Sequence, residues 1–214
     1  TFFLCTGFIQ NRNIKPWWDK IYDVIQNCNE NLKIHMNSSF KMFNLTHLRD
    51  KIKLNNYISV FLQFMTLEEQ NEFFKINNLQ NYIEKENDFS NWEDIKKFSK
   101  SKFIEIGGHT VWHPSLGKFE NTHKEILDSK NIIEDKINNK INFFAYPYGG
   151  KYDVSIKSEE KVQLYGYKAA LTTNHIINSG KTNLFKLGRI EVFEESIYEL
   201  KSRIFISRIK SLFQ

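Results

Sequence analysis

The spacing of apolar residues changes several times along this chain. It opens Thr1-Phe2-Phe3-Leu4, a run that reads as the middle of a β-strand. After Gly7 and a polar loop, Trp17, Trp18, Ile21, Tyr22, Val24 and Ile25 recur at helical intervals, predicting a helix over Trp17–Asn27. Residues 31–43 alternate instead (Leu32, Ile34, Met36; Phe40, Met42), which suits a small hairpin turning at Asn37-Ser38-Ser39. From Leu45 to Ile83 the pattern is helical again, and Thr66-Leu67-Glu68-Glu69 forms a capping box that starts one helix. This section holds no residue cluster suited to chemistry. It reads as a helical insertion over 45–90, closed by a polar break at Asn87–Asn91.

Beyond that break, helix and strand alternate. Ser90 and Asn91 can cap a helix reaching Lys100, followed by a strand at Lys102–Ile106 whose buried part is Phe103–Ile106. An amphipathic helix is expected over Phe119–Asn138, with Ile126, Ile132, Ile133 and Ile137 on its buried side. Then come a strand at Ile141–Ala145, a helix at Ser155–Leu164 stopping at Gly166, strands at Lys168–Leu171 and Leu184–Ile190, and a closing helix over Glu195–Phe213. Short apolar strands alternating with helices predict an α/β fold with a parallel sheet or barrel. The active site of such a fold lies at the carboxyl ends of its strands.

Composition narrows the choice of class. The 214 residues suffice for one large domain, or one with an insertion, and 41% hydrophobic with 15% aromatic content implies a globular core. The net charge of +5 is spread along the chain with no polybasic block, so nucleic acid is not the expected partner. No apolar run reaches the roughly 20 residues of a membrane span. Cys5 and Cys28 form no Cys-x-x-Cys pair, which fits a reduced or indifferent compartment better than a disulfide framework. Thr1 follows no charged leader, so no signal peptide is expected here, and the chain is expected to begin inside a longer protein.

The strand ends carry the unusual residues. Ile104–Pro114 places His109 and His113 four apart, behind Gly107-Gly108 and ahead of Pro114. The glycines and the proline disfavour a helix, leaving a tight loop that can fold both rings toward one point. Converging neutral imidazoles commonly hold zinc, though the pair can also be two polar loop histidines. After the next strand comes Ala145-Tyr146-Pro147-Tyr148-Gly149-Gly150, a rigid turn able to aim an amide N–H at a ligand, or an ordinary turn. His175 follows the next strand, as a site residue or an exposed loop residue. Arg189 and Glu191 lie around the last strand, where Arg189 can serve a site or pair with a core carboxylate.

His109-Thr-Val-Trp-His113-Pro114 resembles the His-Ser/Thr-x-x-His-Pro motif of the NodB-homology polysaccharide deacetylases, carbohydrate esterase family four. Phe144-Ala-Tyr-Pro-Tyr-Gly149 resembles the family's next motif, in the right order and at the right separation across a helix bearing Ser129-Lys130. Gly166-Tyr167-Lys-Ala-Ala-Leu-Thr-Thr, Leu187-x-Arg189-Ile190, Thr1–Leu4 and Trp17-Trp18-Asp19 also resemble family segments, so the likeness spans nearly the whole chain. The resemblance implies a distorted (β/α)7-type barrel over 1–214, here short of its N-terminal strand, with 45–90 inserted. It also implies a divalent metal, zinc or else cobalt or nickel, held by His109, His113 and an aspartate. Tyr148 would lend its backbone N–H to the oxyanion, with Pro147 and Gly149 shaping the turn. The reaction implied is removal of N-acetyl groups from the sugars of a polysaccharide or glycoconjugate.

The sequence departs from the family in three places. Its first motif, Thr-Phe-Asp-Asp-Gly, which supplies the base and the third ligand, does not occur; a missing front segment is the expected explanation. Ala145 stands where an arginine is common, and the family's final histidine motif has no clear counterpart. His175 is therefore the candidate general acid, and Arg189 the candidate for orienting substrate. A non-catalytic carbohydrate-binding module of the same fold is the alternative.

Overall fold

The structure, a computed structural model, describes residues 1–36, 38–84 and 89–211, and side chains through residue 209. In chain order its elements are β1 (Phe2–Leu4), α1 (Thr6–Gln10), α2 (Trp17–Asn27), β2 (Asn31–Met36), β3 (Ser39–Asn44), α3 (Leu48–Leu62), α4 (Leu67–Ile76), α5 (Trp92–Phe98), β4 (Ile106–Gly108), α6 (Thr122–Ile137), β5 (Phe143–Ala145), α7 (Ile156–Leu164), β6 (Ala169–Leu171) and α8 (Ile197–Ser211). Two 3-10 turns lie at Leu79–Tyr82 and Leu184–Lys186. The chain forms two compact units, one of Thr1–Thr6 with Trp92–Gln214 and one of Gly7–Asn91.

The first unit is α/β. Its sheet is parallel throughout, in the order β1-β4-β5-β6, with Phe3 opposite Gly107, Gly108 opposite Phe144, and Phe144 opposite Ala170. Ile106, Phe144, Ala170, Ile126, Ile133 and Val162 are buried around it, joining the strands to α6 and α7. Ile132, expected on the buried side of α6, is half-buried. Lys130 locks α6 to the start of β5, its Nζ donating to Glu134 Oε1 at 2.7 Å and to Ile141 O at 2.9 Å. Among the described residues the two edges of the sheet do not pair with each other.

Two strand expectations are corrected. The strand expected at Phe103–Ile106 begins only at Ile106 and runs through both glycines, while Phe103 is 86% exposed. The glycines belong to the strand because neighbours crowd it. A Cβ on Gly107 would lie 2.6 Å from the Phe3 ring, and one on Gly108 2.3 Å from Tyr167 Oη. The strand expected at Leu184–Ile190 is a 3-10 turn followed by a single parallel bridge, Leu171 to Leu187. The ladder stops there because the Arg189 N–H is taken by Asn174 O at 3.0 Å, in the loop leaving β6.

In the second unit β2 and β3 pair antiparallel over six residues each, with Leu32, Ile34 and Met36 buried and the residues between them exposed. β3 is different: Phe40 and Met42 lie on the open face, where Lys33 Nζ sits 4.1 Å over the Phe40 ring. Asn77, after α4, accepts the His35 N–H at 2.6 Å and donates to His35 O and Phe73 O, tying hairpin to helix. The Thr66–Glu69 capping box forms at the start of α4 as expected. This unit begins at Gly7 and takes in the hairpin as well as the helices of 45–90. Asn37 of the expected turn, Asn87 and Asp88 of the polar break, and Phe213 lie outside the described residues.

Candidate metal centre

The carboxyl ends of β1, β4 and β5 converge on one point, and the ladder dictates what arrives there. Leu4 is in register with Gly108, and the pairing continues as the His109 N–H donates to Leu4 O at 3.1 Å and the Thr6 N–H to Thr110 O at 3.3 Å. Cys5 and His109 are therefore neighbours, and side chains in register on a pleated ladder share a face. On the other side Gly108 faces Phe144, and His109 Nδ1 lies 2.6 Å from Ala145 O. A carbonyl can only accept, so Nδ1 carries the proton and Nε2 keeps the lone pair. That is how metal-binding histidines are commonly oriented.

A closed loop then returns the chain to the site. Thr110 Oγ1 donates to His109 O and accepts the His113 N–H at 2.9 Å, so the hydroxyl ties the two histidine residues together. Thr110 and His113 both sit at left-handed φ, 69° and 61°, and for a β-branched threonine this is an outlier. Glu125, in the first turn of α6, holds the strained loop, its Oε2 accepting the N–H groups of Val111 at 2.8 Å and Trp112 at 2.9 Å. The outcome is two imidazoles with ring centroids 4.7 Å apart. Burial pushes His109 down to about 4, against the pull of Ala145 O and helped by the charge of Arg189. Burial, with His109 beside it, pushes His113 down to about 3. Both rings are neutral near pH 7, as a ligand must be.

The turn after β5 lies against this pair. Tyr148 has φ 59°, and its ring centroid is 4.8 Å from that of His113. Gly149 has φ 65°, and a Cβ there would come 2.8 Å from Thr173 N, so the position demands glycine. Its N–H donates back to Pro147 O at 2.6 Å, and Thr173 Oγ1 donates to Tyr148 O at 2.7 Å. Asp153 braces the turn against the exit of the histidine loop, accepting from Ser115 Oγ at 2.6 Å and from the Gly150 N–H at 3.0 Å. Thr173 also borders a cavity of about 280 Å³ lined by His175, Arg189, Ile190 and Glu191. His175 is exposed there, whereas Arg189 is anchored on a carbonyl, its Nε donating to Thr172 O at 2.8 Å.

His109, His113 and the Tyr148 turn are thus brought together, with His175 and Arg189 in the cavity bordering that turn. Three further residues escape a reading of the sequence. Cys5 stands beside His109, and one potential ligand atom from each of Cys5, His109 and His113 lies within 4.8 Å of the others. The Cys5 thiol also donates to His109 O at 3.2 Å, and burial and the nearby Glu125 hold it well above the ordinary thiol range. Glu125 and Asp153 act on backbone amides far away in sequence, which no local pattern signals. For Cys5 a signal existed, its place directly after an apolar strand. Two neutral imidazoles and a thiol are donors that suit zinc and related ions, so the residues present fit a divalent metal.

Several solved structures resemble part of the chain. A Streptococcus pyogenes deacetylase in complex with acetate is 24% identical with a TM-score of 0.49, over 56% of this chain and 51% of its own. A Bacillus cereus polysaccharide deacetylase is 25% identical with a TM-score of 0.47, over 53% of this chain and 36% of its own. A de-N-acetylase from Aggregatibacter actinomycetemcomitans is 15% identical with a TM-score of 0.42, over 54% of this chain and 53% of its own. The chain therefore spans about half the length of the Streptococcus protein and less of the Bacillus one. None of the curated proteins matches it. The sequence model described as polysaccharide deacetylase matches residues 65–170, which include His109, His113, Pro147, Tyr148 and Gly149. Over that span the chain is similar to the polysaccharide deacetylase family.

Proposed function

We propose that this chain acts in a metal-dependent hydrolase that removes N-acetyl groups from the sugars of a polysaccharide or glycoconjugate. The observation that carries the reading is the convergence of two neutral imidazoles, 4.7 Å apart, with the Tyr148 ring 4.8 Å from one of them. His109 and His113 hold a divalent ion, zinc or in its place cobalt or nickel. When bound, that ion polarises an acetyl carbonyl and lowers the pKa of water, which the poor electrophile of an amide requires.

The remaining work falls to this chain's own groups. Ala145 O fixes the proton of His109 on Nδ1, and Glu125 keeps the strained loop in the shape that returns His113. Tyr148 presents its backbone N–H to the developing oxyanion, a contribution of about 2.7–4 kcal/mol for one such donor in other enzymes. Pro147 and Gly149 set the direction of that amide. His175 donates the proton to the leaving amine, and Arg189 orients the substrate in the cavity they share. The four-stranded parallel sheet is read as part of a distorted (β/α) barrel spanning 1–214, with the helices of 45–90 as an insertion.

The test is acetate release from N-acetylglucosamine oligomers, with and without chelator, alongside zinc content in wild type and His113→Ala. Release abolished by chelator, together with zinc lost in the variant, supports the reading. Chelator-insensitive release, or equal zinc in both proteins, refutes it. Sugar binding without release from the whole protein would favour the non-catalytic module.

A further inference from the structure

We infer that Cys5 is a metal ligand, so that the centre in this chain is a sulfur–nitrogen–nitrogen site for a thiophilic divalent ion. The inference rests on the reading of His109 and His113 as ligands and adds a donor that neither the family motifs nor the matched span supplies; residues 65–170 exclude Cys5.

The backbone argues for it first. Cys5 lies between two ladder contacts, the His109 N–H on Leu4 O and the Thr6 N–H on Thr110 O, that hold β1 against the start of the histidine loop. Its position beside His109 is fixed by strand register and does not depend on a flexible loop. The sulfur is placed as well, 3.2 Å from His109 O. The distances argue next. The candidate donor atoms of Cys5, His109 and His113 all lie within 4.8 Å of one another. Tetrahedral zinc, with bonds of about 2.0–2.1 Å to nitrogen and about 2.3 Å to sulfur, spaces its donors about 3.3–3.6 Å apart. Small side-chain rotations close that difference. On binding, the S–H bond breaks as the sulfur–metal bond forms, and the proton leaves to solvent.

Chemistry then selects the ion. A thiolate with two imidazoles favours zinc or cobalt over magnesium, calcium or manganese, which prefer oxygen. Three protein donors also leave a fourth position open, as in zinc sites that do chemistry.

The test is a cobalt(II) titration of the chain near neutral pH, in a Cys28→Ser background that leaves Cys5 as the sole sulfhydryl. Wild-type Cys5 gives one cobalt per chain, with tetrahedral visible bands and a near-ultraviolet sulfur-to-cobalt charge-transfer band. Cys5→Ser loses the charge-transfer band and binds cobalt at least about tenfold more weakly. Cys5→Asp recovers binding without that band. A second measurement needs no variant at this position: saturating zinc slows alkylation of Cys5 by iodoacetamide. Cobalt bound equally by Cys5 and Cys5→Ser chains with no charge-transfer band, or an alkylation rate indifferent to zinc, overturns the inference and leaves the histidine pair standing. No cobalt bound by the wild type, or as much by His113→Ala, refutes the histidine reading itself. The two failures are therefore distinguishable.

Discussion

Replacing Glu125 by glutamine tests how the metal loop is held. The carboxylate accepts two backbone N–H groups through one oxygen, and a glutamine carbonyl can accept the same pair. Only the ionisation is lost. Burial raises Glu125 from 4.5 to about 7, with the Trp112 and Val111 amides pulling the other way and Asp128 adding to the rise. Between those two values the folded chain holds a proton that the unfolded chain has released, so stability falls as pH climbs through the window. At about 1.36 kcal/mol per pH unit, the drop approaches 3 kcal/mol once pH passes about 7. The two imidazoles slope the other way. Neutral when folded, they contribute stability that is complete above 6.5 and fades as pH falls toward about 4 and about 3. Both chains share that slope, so the difference between them isolates Glu125. Urea unfolding at steps from about pH 4.5 to about pH 7.5 measures it, and Glu125→Gln should gain on the wild type by about 3 kcal/mol across the range. A difference flat to within about 1 kcal/mol, or one that shrinks as pH rises, refutes the burial argument.

Two predictions concern packing. Gly108→Ala would place a Cβ 2.3 Å from Tyr167 Oη, an overpacking that costs about 1–3 kcal/mol. Adding Tyr167→Phe should recover part of the loss, and a strictly additive double mutant in thermal melts would show that the hydroxyl is not the obstacle. Asn77→Ala leaves the His35 N–H without its acceptor, at a cost of about 1–3 kcal/mol in urea unfolding. A loss well under about 1 kcal/mol would show that solvent replaces the lost acceptor.

What the sequence disclosed and what it hid have one physical origin. The meeting of His109, His113 and Tyr148 was readable because it follows from spacing along the chain: a four-residue return closed by Pro114, and a turn fixed by Pro147 and Gly149. The α/β alternation was readable for the same reason, as were the span of α2 and the capping box of α4, which depend on neighbours a few residues away. The errors fall where a residue answers to something distant. Gly107 and Gly108 look like a strand's end, yet they are its body, because Phe3 and Tyr167 occupy the space where their side chains would stand. Phe103 looks like core and is not, since the strand it was assigned to starts three residues later. Glu125 is unremarkable among the acidic residues of a helix's first turn, but its bonds reach back 13 and 14 residues to the histidine loop. Cys5 is the sharpest case. In the sequence it is one of two unpaired cysteines, while its place beside His109, 104 residues away, exists only through the parallel register of β1 and β4. Spacing therefore identifies the groups that can bind an ion, whereas strand register decides which donors share the site with them.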